Sequence, residues 1–221
     1  MQFVYCEDAK EKNLELSVQE FRHIFKVRRT KTGDVINFRN LRDDYIYGYR
    51  VTDIDKKSAY LELIEKKELA IKAKPLHVSW CVVDSKTVEK TLPFLNEFGV
   101  KKVTFVYCEF SQKNFKIDLD RLQRIAVNSS QQCGRSEMIE LEIIESLEKF
   151  LERYPDASIV DFSDNKLKCG DKIGHFLVGC EGGFSAKERE MFNNNKVFGL
   201  DFETVLKSES AVLYATSLFL S

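Results

Sequence analysis

The sequence predicts an α/β protein in two parts. A small N-terminal β-barrel occupies residues 1–70, and a larger domain over 75–221 carries strands and helices in alternation around a parallel sheet. Three observations predict this. Short strand-like runs separated by charged turns dominate the first third of the chain. From Leu76 onward, apolar strands alternate with amphipathic helices. Between the two, the charged stretch Lys66–Lys74 leads into Pro75, which marks the boundary.

In the first part, Gln2–Cys6, Val35–Phe38, Tyr45–Ile54 and Ala59–Ile64 read as strands, punctuated by turns such as Arg42-Asp43-Asp44. One helix is expected among them. Ser17-Val18-Gln19-Glu20 has the form of a capping box, and Val18, Phe21 and Phe25 follow at helical spacing. In the second part, His77–Val83, Lys102–Tyr107, Ser158–Phe162, His175–Val178 and Lys196–Phe198 read as strands. Helices are expected over Lys86–Phe98, closed by Gly99, over Asp118–Cys133, and over Leu147–Tyr154, stopped by Pro155. Ser185-Ala186-Lys187-Glu188 is a second capping box, and Ser208 is placed to cap the terminal helix.

Composition narrows the class. With 43% hydrophobic and 31% charged residues in 221, the chain can bury a core and stay in water. No apolar run is long enough for a membrane span, and Met1-Gln2-Phe3-Val4-Tyr5 lacks the form of a secretory signal, so a cytoplasmic protein without a membrane partner is expected. The six cysteines form no CxxC pair and read as free thiols of a reducing compartment. His23, His77 and His175 have no metal-ligand spacing, so no metal is expected; His77 and His175 open apolar strands and read as structural. The net charge is only −1, but residues 1–74 hold 16 basic and 13 acidic side chains. Within them Arg22, His23, Lys26, Arg28, Arg29 and Lys31 form a compact basic cluster free of acids, a candidate nucleic-acid contact.

Three segments offer chemistry. In Phe176-Leu177-Val178-Gly179-Cys180-Glu181-Gly182-Gly183-Phe184-Ser185 an apolar strand runs into three glycines and a capped helix. Ligands of open α/β sheets lie beyond the carboxyl ends of the strands, and glycine lets a ligand lie against backbone there. A turn needing glycine for geometry alone is the competing reading. The loop is neither a Walker A nor a GxGxxG motif. The second segment, Ser129-Ser130-Gln131-Gln132-Cys133-Gly134-Arg135-Ser136, places planar donors at a helix end; by itself it reads as a solvated C-terminus. The third, Val205-Leu206-Lys207-Ser208-Glu209-Ser210-Ala211, reads by itself as helix capping and dipole complementation.

Together these segments resemble the small-subunit ribosomal RNA uracil-N3 methyltransferases of the SPOUT superfamily. The resemblance rests on Gln132-Cys133-Gly134-Arg135, Gly179-x-Glu181-Gly182-Gly183-Phe184-Ser185 and Leu206-Lys207-Ser208-Glu209-Ser210-Ala211, in that order. It extends to His23-x-x-x-Val27-Arg28-Arg29 and Glu97-Phe98-Gly99-Val100, and so to nearly the whole chain. It implies a PUA-like or OB-like barrel, a trefoil-knotted SPOUT domain, a homodimer, S-adenosylmethionine as cofactor, and a uridine of 16S ribosomal RNA in the small subunit as substrate. The implied cofactor residues are Val178, Gly179, Glu181, Gly182, Gly183, Leu200, Val205, Leu206 and Ser208. Arg22, His23, Lys26, Arg28, Arg29 and Lys207 are the implied RNA contacts. The sequence departs from the family pattern at Cys180, where proline is usual, at Lys207 and Thr204, where arginine is usual, and at Pro93-Phe94, where Gln-Lys is usual.

N3 of uracil carries a proton that must leave before methylation completes. Arg135 is the candidate to stabilise the uracil anion, and Glu209 the candidate to take the proton or position the cofactor. Two rival readings stand beside this one. A catalytically inactive RNA-binding protein of the same fold is opposed by the intact glycine loop. An α/β enzyme using another nucleotide cofactor is opposed by the missing phosphate motif.

Overall fold

The computed structural model describes every residue except Met1, Lys113, Phe115, Asn193, Asn194 and Ser221. The chain forms two compact units. The first holds residues up to Lys72 together with Ser130–Met138, and the second holds Ala73–Ser129 and the chain from Ile139 on.

In the first unit, β1 (Val4–Tyr5), β2 (Asn13–Ser17), β3 (Val35–Arg39), β4 (Tyr45–Ile54) and β5 (Ser58–Glu68) form one sheet in the order β1-β3-β4-β5-β2. The pairing is antiparallel except between β1 and β3. Register shifts at Gly48/Tyr49 and Val51/Asp53 bend the long β4–β5 ribbon, as bulges do. Alternation sorts its faces: Leu14 and Leu16 are buried on β2 while Glu15 is exposed, and they join Phe38, Tyr47, Tyr49, Val51 and Leu61 in the core. The helix expected after Ser17 shrinks to one wide turn of π type, His23–Val27. The Ser17 hydroxyl does accept from the Glu20 amide at 3.3 Å, but Ser17 ends β2, and only Ile24 and Phe25 of the turn are buried. Two inward residues hold down a single turn, not a longer helix.

Ser130–Met138 packs within this first unit. The Gln2 amide donates to the Gln131 carbonyl at 2.7 Å, and the Tyr5 amide to the Gln131 side chain at 2.9 Å. The Ile71 amide donates to Ser136 Oγ at 2.9 Å. No periodicity in the sequence announces this return of the chain.

The second unit contains β6 (Lys74–Cys81), α1 (Ser85–Glu97), β7 (Val100–Val106), α2 (Leu119–Cys133), β8 (Glu140–Ile144) and α3 (Leu147–Arg153). It continues with β9 (Ser158–Val160), β10 (His175–Val178), α4 (Ala186–Glu190), β11 (Val197–Phe198) and α5 (Ser208–Leu220). The last residues of α2, from Ser130 on, belong to the first unit. The sheet is parallel throughout, in the order β11-β9-β10-β6-β7-β8. Its central strands are near-continuous apolar runs, as burial on both faces requires. Asp84 caps α1 by accepting from the Lys86 and Thr87 amides, and Gly99 follows α1 with φ +83°, the C-terminal glycine expected there.

The reading of six free thiols fails for one pair: Cys81 and Cys108 are joined by a disulfide. Cys81 pairs with Val106 on the neighbouring strand, which brings the Cys81 and Cys108 Cα atoms within 5.9 Å, inside the range a disulfide spans. The two lie 27 residues apart, so strand pairing and not sequence spacing brings them together.

His175 at the start of β10 pairs with His77 midway along β6, and their rings stack with centroids 3.6 Å apart. Thr104 Oγ1 gives its one hydrogen to Glu142, so it accepts from His77 Nε2, which fixes that tautomer. Burial, the neighbouring ring and the Lys102 ammonium push His77 down to about 3. Burial and Lys102 push His175 down to about 4. Burial opposes ionisation of Glu142, but bonds from Lys102, Tyr154 and Thr104 outweigh it and hold the carboxyl at about 2. Both histidines are therefore neutral in the folded protein while the unfolded chain takes up protons below about pH 6.5. Stability is full above that pH and falls as pH drops toward about 4, by about 1 kcal/mol per pH unit for each ring. Urea unfolding between pH 7.5 and 4.5 is expected to show this slope, and a double variant, His77→Gln with His175→Gln, to lose most of it.

Candidate active site

The glycine loop begins where β10 ends. Gly183 N donates to the Cys180 carbonyl at 2.9 Å, closing a tight turn over Cys180-Glu181-Gly182-Gly183. Each glycine has its own reason to be there. Gly183 has φ +67°, a left-handed conformation. A Cβ on Gly179 would press on Gly183 Cα at 3.1 Å and on the Phe184 ring. A Cβ on Gly182 would meet Phe110 at 3.0 Å.

Buried polar groups tie this loop to the sheet and to α5. Ser208 Oγ donates to the Gly179 carbonyl at 2.5 Å and accepts from Trp80 Nε1 at 2.7 Å. The expected capping by Ser208 is thus replaced: it is the first residue of α5, and its hydroxyl positions the loop. The capping box at Ser185 forms as expected, with Glu188 reaching back to the Ser185 amide. Glu109 adds a tie the sequence did not signal, since its carboxylate accepts from Ser185 Oγ at 2.6 Å and its amide donates to Glu188 at 2.7 Å.

The loop walls a cavity of about 620 Å³ at the carboxyl ends of β9, β10 and β11. Volumes of this size are typical of small-molecule sites. Val178, Gly179, Glu181, Gly182, Gly183, Leu200, Val205, Leu206 and Ser208 all line it, so the structure brings together the nine residues named as cofactor candidates. A third wall, from Val160 to Lys166, escaped sequence reasoning because it has no glycine signature. Gly199 also escaped it. The chain beyond β11 runs against the chain beyond β9 there: Gly199 N donates to the Asn165 carbonyl at 2.9 Å, and Leu167 N to the Gly199 carbonyl at 2.8 Å. A Cβ on Gly199 would collide with the Ser163 carbonyl.

The lining is acidic. Asp161 is neutralised by Arg189 at 2.6 Å, leaving Asp164, Glu181 and Glu203 against Lys166. Such a lining favours a cationic ligand and repels phosphate. Glu209 is half-buried in the first turn of α5, next to the lining residue Ser208. Lys207 is exposed.

Arg135 is not among the lining residues. It lies in the segment packed with the first unit, 3% exposed, where burial lowers its basicity and Glu137 opposes that shift. The Gln131 side chain accepts from the Tyr5 amide of β1, so its oxygen is committed within the first unit. Arg22, His23, Lys26, Arg28 and Arg29 are exposed on and beside the π turn, a contiguous basic surface of the first unit. Arg29 takes φ +56°, which a non-glycine residue rarely adopts. Among the described residues no cluster of metal-ligating side chains occurs, and no helix is long and apolar enough to cross a membrane.

Comparison with known proteins sets this geometry in a family. The RNA methyltransferase domain family matches residues 71–220, and the RNA methyltransferase PUA domain family matches 16–64. Ribosomal RNA small subunit methyltransferase E of Helicobacter pylori strain 26695 is 39% identical over 223 residues, covering 99% of both chains, and that of strain J99 is 40% identical with the same coverage. The crystal structure of the Neisseria gonorrhoeae enzyme of that name, bound to S-adenosylmethionine, has a TM-score of 0.81 at 21% identity, covering 98% of this chain and 95% of the other. At that identity the likeness speaks for the fold. The chain belongs to the family of the ribosomal RNA small subunit methyltransferase E proteins.

Proposed function

We propose that this protein transfers a methyl group from S-adenosylmethionine to N3 of a uridine in 16S ribosomal RNA of the small subunit. The observation that carries the reading is the glycine-walled acidic cavity at the carboxyl ends of the parallel strands. Its size suits the cofactor, its acidic lining suits a sulfonium and an ammonium, and Gly179, Gly182 and Gly183 wall it with backbone. The cofactor supplies an electrophilic methyl group on a sulfonium; alignment of the acceptor is the protein's task. The basic surface at Arg22, His23, Lys26, Arg28 and Arg29, with Lys207, is the proposed RNA contact. The left-handed backbone at Arg29 supports it, because strain of that kind concentrates at functional sites.

Two residues are proposed for the acceptor proton. Glu209, beside the cavity wall, takes the N3 proton or positions the cofactor. Arg135 stabilises the charge that develops on the uracil ring, which requires its guanidinium to face the substrate in the RNA-bound enzyme. The close passage at Gly199 supports a trefoil-knotted chain, and the exposed Phe94 of α1 and Phe98 just after it support a homodimer. A substrate made in the cytoplasm supports residence there.

Calorimetry with S-adenosylmethionine and its demethylated product, together with methylation of small subunits and mapping of the modified nucleotide, tests the reading. An absence of cofactor binding would sink it. Gly183→Val places a β-branched residue at φ +67° and is expected to lower cofactor affinity about five- to a hundredfold, since such strain costs roughly 1–3 kcal/mol. A folded variant with wild-type affinity would contradict this.

Replacing Arg22, Arg28 and Arg29 by alanine is expected to weaken RNA binding. Its dependence on salt should flatten by roughly one unit of slope for each phosphate that is no longer neutralised. Cofactor affinity is expected to hold. An unaltered slope would show that these side chains do not meet RNA.

Arg135→Ala is expected to lower the single-turnover rate by about 10²–10³-fold at saturating substrate, with Arg135→Lys recovering only part. Because the side chain is 3% exposed, unfolding is followed in parallel. Loss of RNA affinity or of stability with an intact saturating rate would make Arg135 an anchor of its segment.

A further inference from the structure

Phe162 follows β9 and lines the cavity, yet it is 73% exposed, more than any other aromatic side chain described. A ring so exposed contributes little to the core. Its backbone is nevertheless pinned on both sides. The Asp161 amide donates to the Phe198 carbonyl at 3.0 Å, and the Asp161 carboxylate accepts from Arg189 Nε at 2.6 Å and Nη2 at 3.1 Å. On the other side, Ser163 Oγ donates to the Val197 carbonyl at 3.4 Å, and the Ser163 carbonyl abuts Gly199. The ring is thus presented to solvent on a rigid mount, the arrangement that reduces the ordering cost of binding.

The surrounding charges narrow what it can hold. Asp164, Glu181 and Glu203 outnumber Lys166 and disfavour a phosphate, so the exposed Phe162 ring is an uncharged face that this cavity offers to RNA. A base that undergoes chemistry must leave its stack, and aromatic side chains replace the stacking partners it loses. The walls at Gly179, Gly183, Leu200 and Leu206 are more enclosed, as a small ligand held against backbone needs.

We propose that Phe162 is the stacking platform for the target uracil and sets the position of N3 relative to the methyl donor. The inference rests on the function proposed above. The test uses the full chain with Phe162→Ala and Phe162→Trp. It reads cofactor affinity by calorimetry without RNA, thermal unfolding, and single-turnover methylation over a range of small-subunit concentrations. Phe162→Ala is expected to raise the half-saturating subunit concentration roughly ten- to a hundredfold, the range that one base–aromatic stack supplies, with cofactor affinity and melting unchanged. Phe162→Trp is expected to restore it. An unchanged half-saturation in Phe162→Ala overturns the proposal, as does an equal loss of cofactor affinity without RNA, which would assign the ring to the cofactor's adenine. A wild-type protein that neither binds the cofactor nor methylates overturns both readings, whereas an active wild type with an indifferent Phe162→Ala overturns this one alone.

Discussion

The buried chain from the Trp80 indole through the Ser208 hydroxyl to the Gly179 carbonyl is the contact on which the site depends. Three elements distant in sequence meet there: the central strand β6, the start of α5, and the loop after β10. Each of the three polar groups lies out of water, so leaving any one unpaired would cost about 1–3 kcal/mol. That penalty restricts where the loop can sit more than a set of apolar contacts would, because hydrogen bonds tolerate little displacement. Once Gly179 is fixed, the turn over Cys180–Gly183 has one place to go, between Phe184 behind it and Phe110 beside it. The cavity follows from that placement.

The two units differ in the charge they expose. Basic side chains stand exposed on the π turn of the first unit, while the cavity of the second is lined by more acids than bases. A single basic cleft would attract the RNA backbone into the space a cationic cofactor needs. On the proposed function, the basic surface of the first unit would draw phosphate, while the acidic lining of the second unit's cavity favours a cationic or neutral group. The small net charge of the whole chain conceals this.

The sequence revealed whatever depends on local pattern. The parallel alternation of the second unit, the capping box at Ser185 and the glycine after α1 are local signals, and the structure reproduces them within a few residues. The nine cofactor candidates reached one cavity because the segments that carry them follow β10 and β11, at the same edge of a parallel sheet. What stayed hidden depends on long-range pairing. The disulfide between Cys81 and Cys108 needs the β6–β7 register, and the return of Ser130–Met138 to the first unit needs Gln131 to find Tyr5. The wall from Val160 to Lys166 becomes part of the site only through the passage at Gly199. Ser17 illustrates the reverse: a well-formed local signal yielded one turn, because few residues beyond it could be buried.

Cys180 stands where the sequence resemblance implies a proline, and the same loop accounts for it. Proline would restrict φ at this position through its ring. Here the restriction comes from bonds instead. The Gly183 amide closes the turn onto the Cys180 carbonyl, the two residues form an isolated antiparallel bridge, and Cys180 Sγ donates to the Gly183 carbonyl at 3.7 Å. The last contact needs a protonated thiol. Burial raises the Cys180 thiol above its ordinary range, with Glu181 adding in the same direction, and so keeps the donor hydrogen in place. A side chain with one weak donor, shielded from water, thereby holds the turn that a pyrrolidine ring would hold by covalent constraint. The glycines on either side keep the backbone approach that the cavity requires.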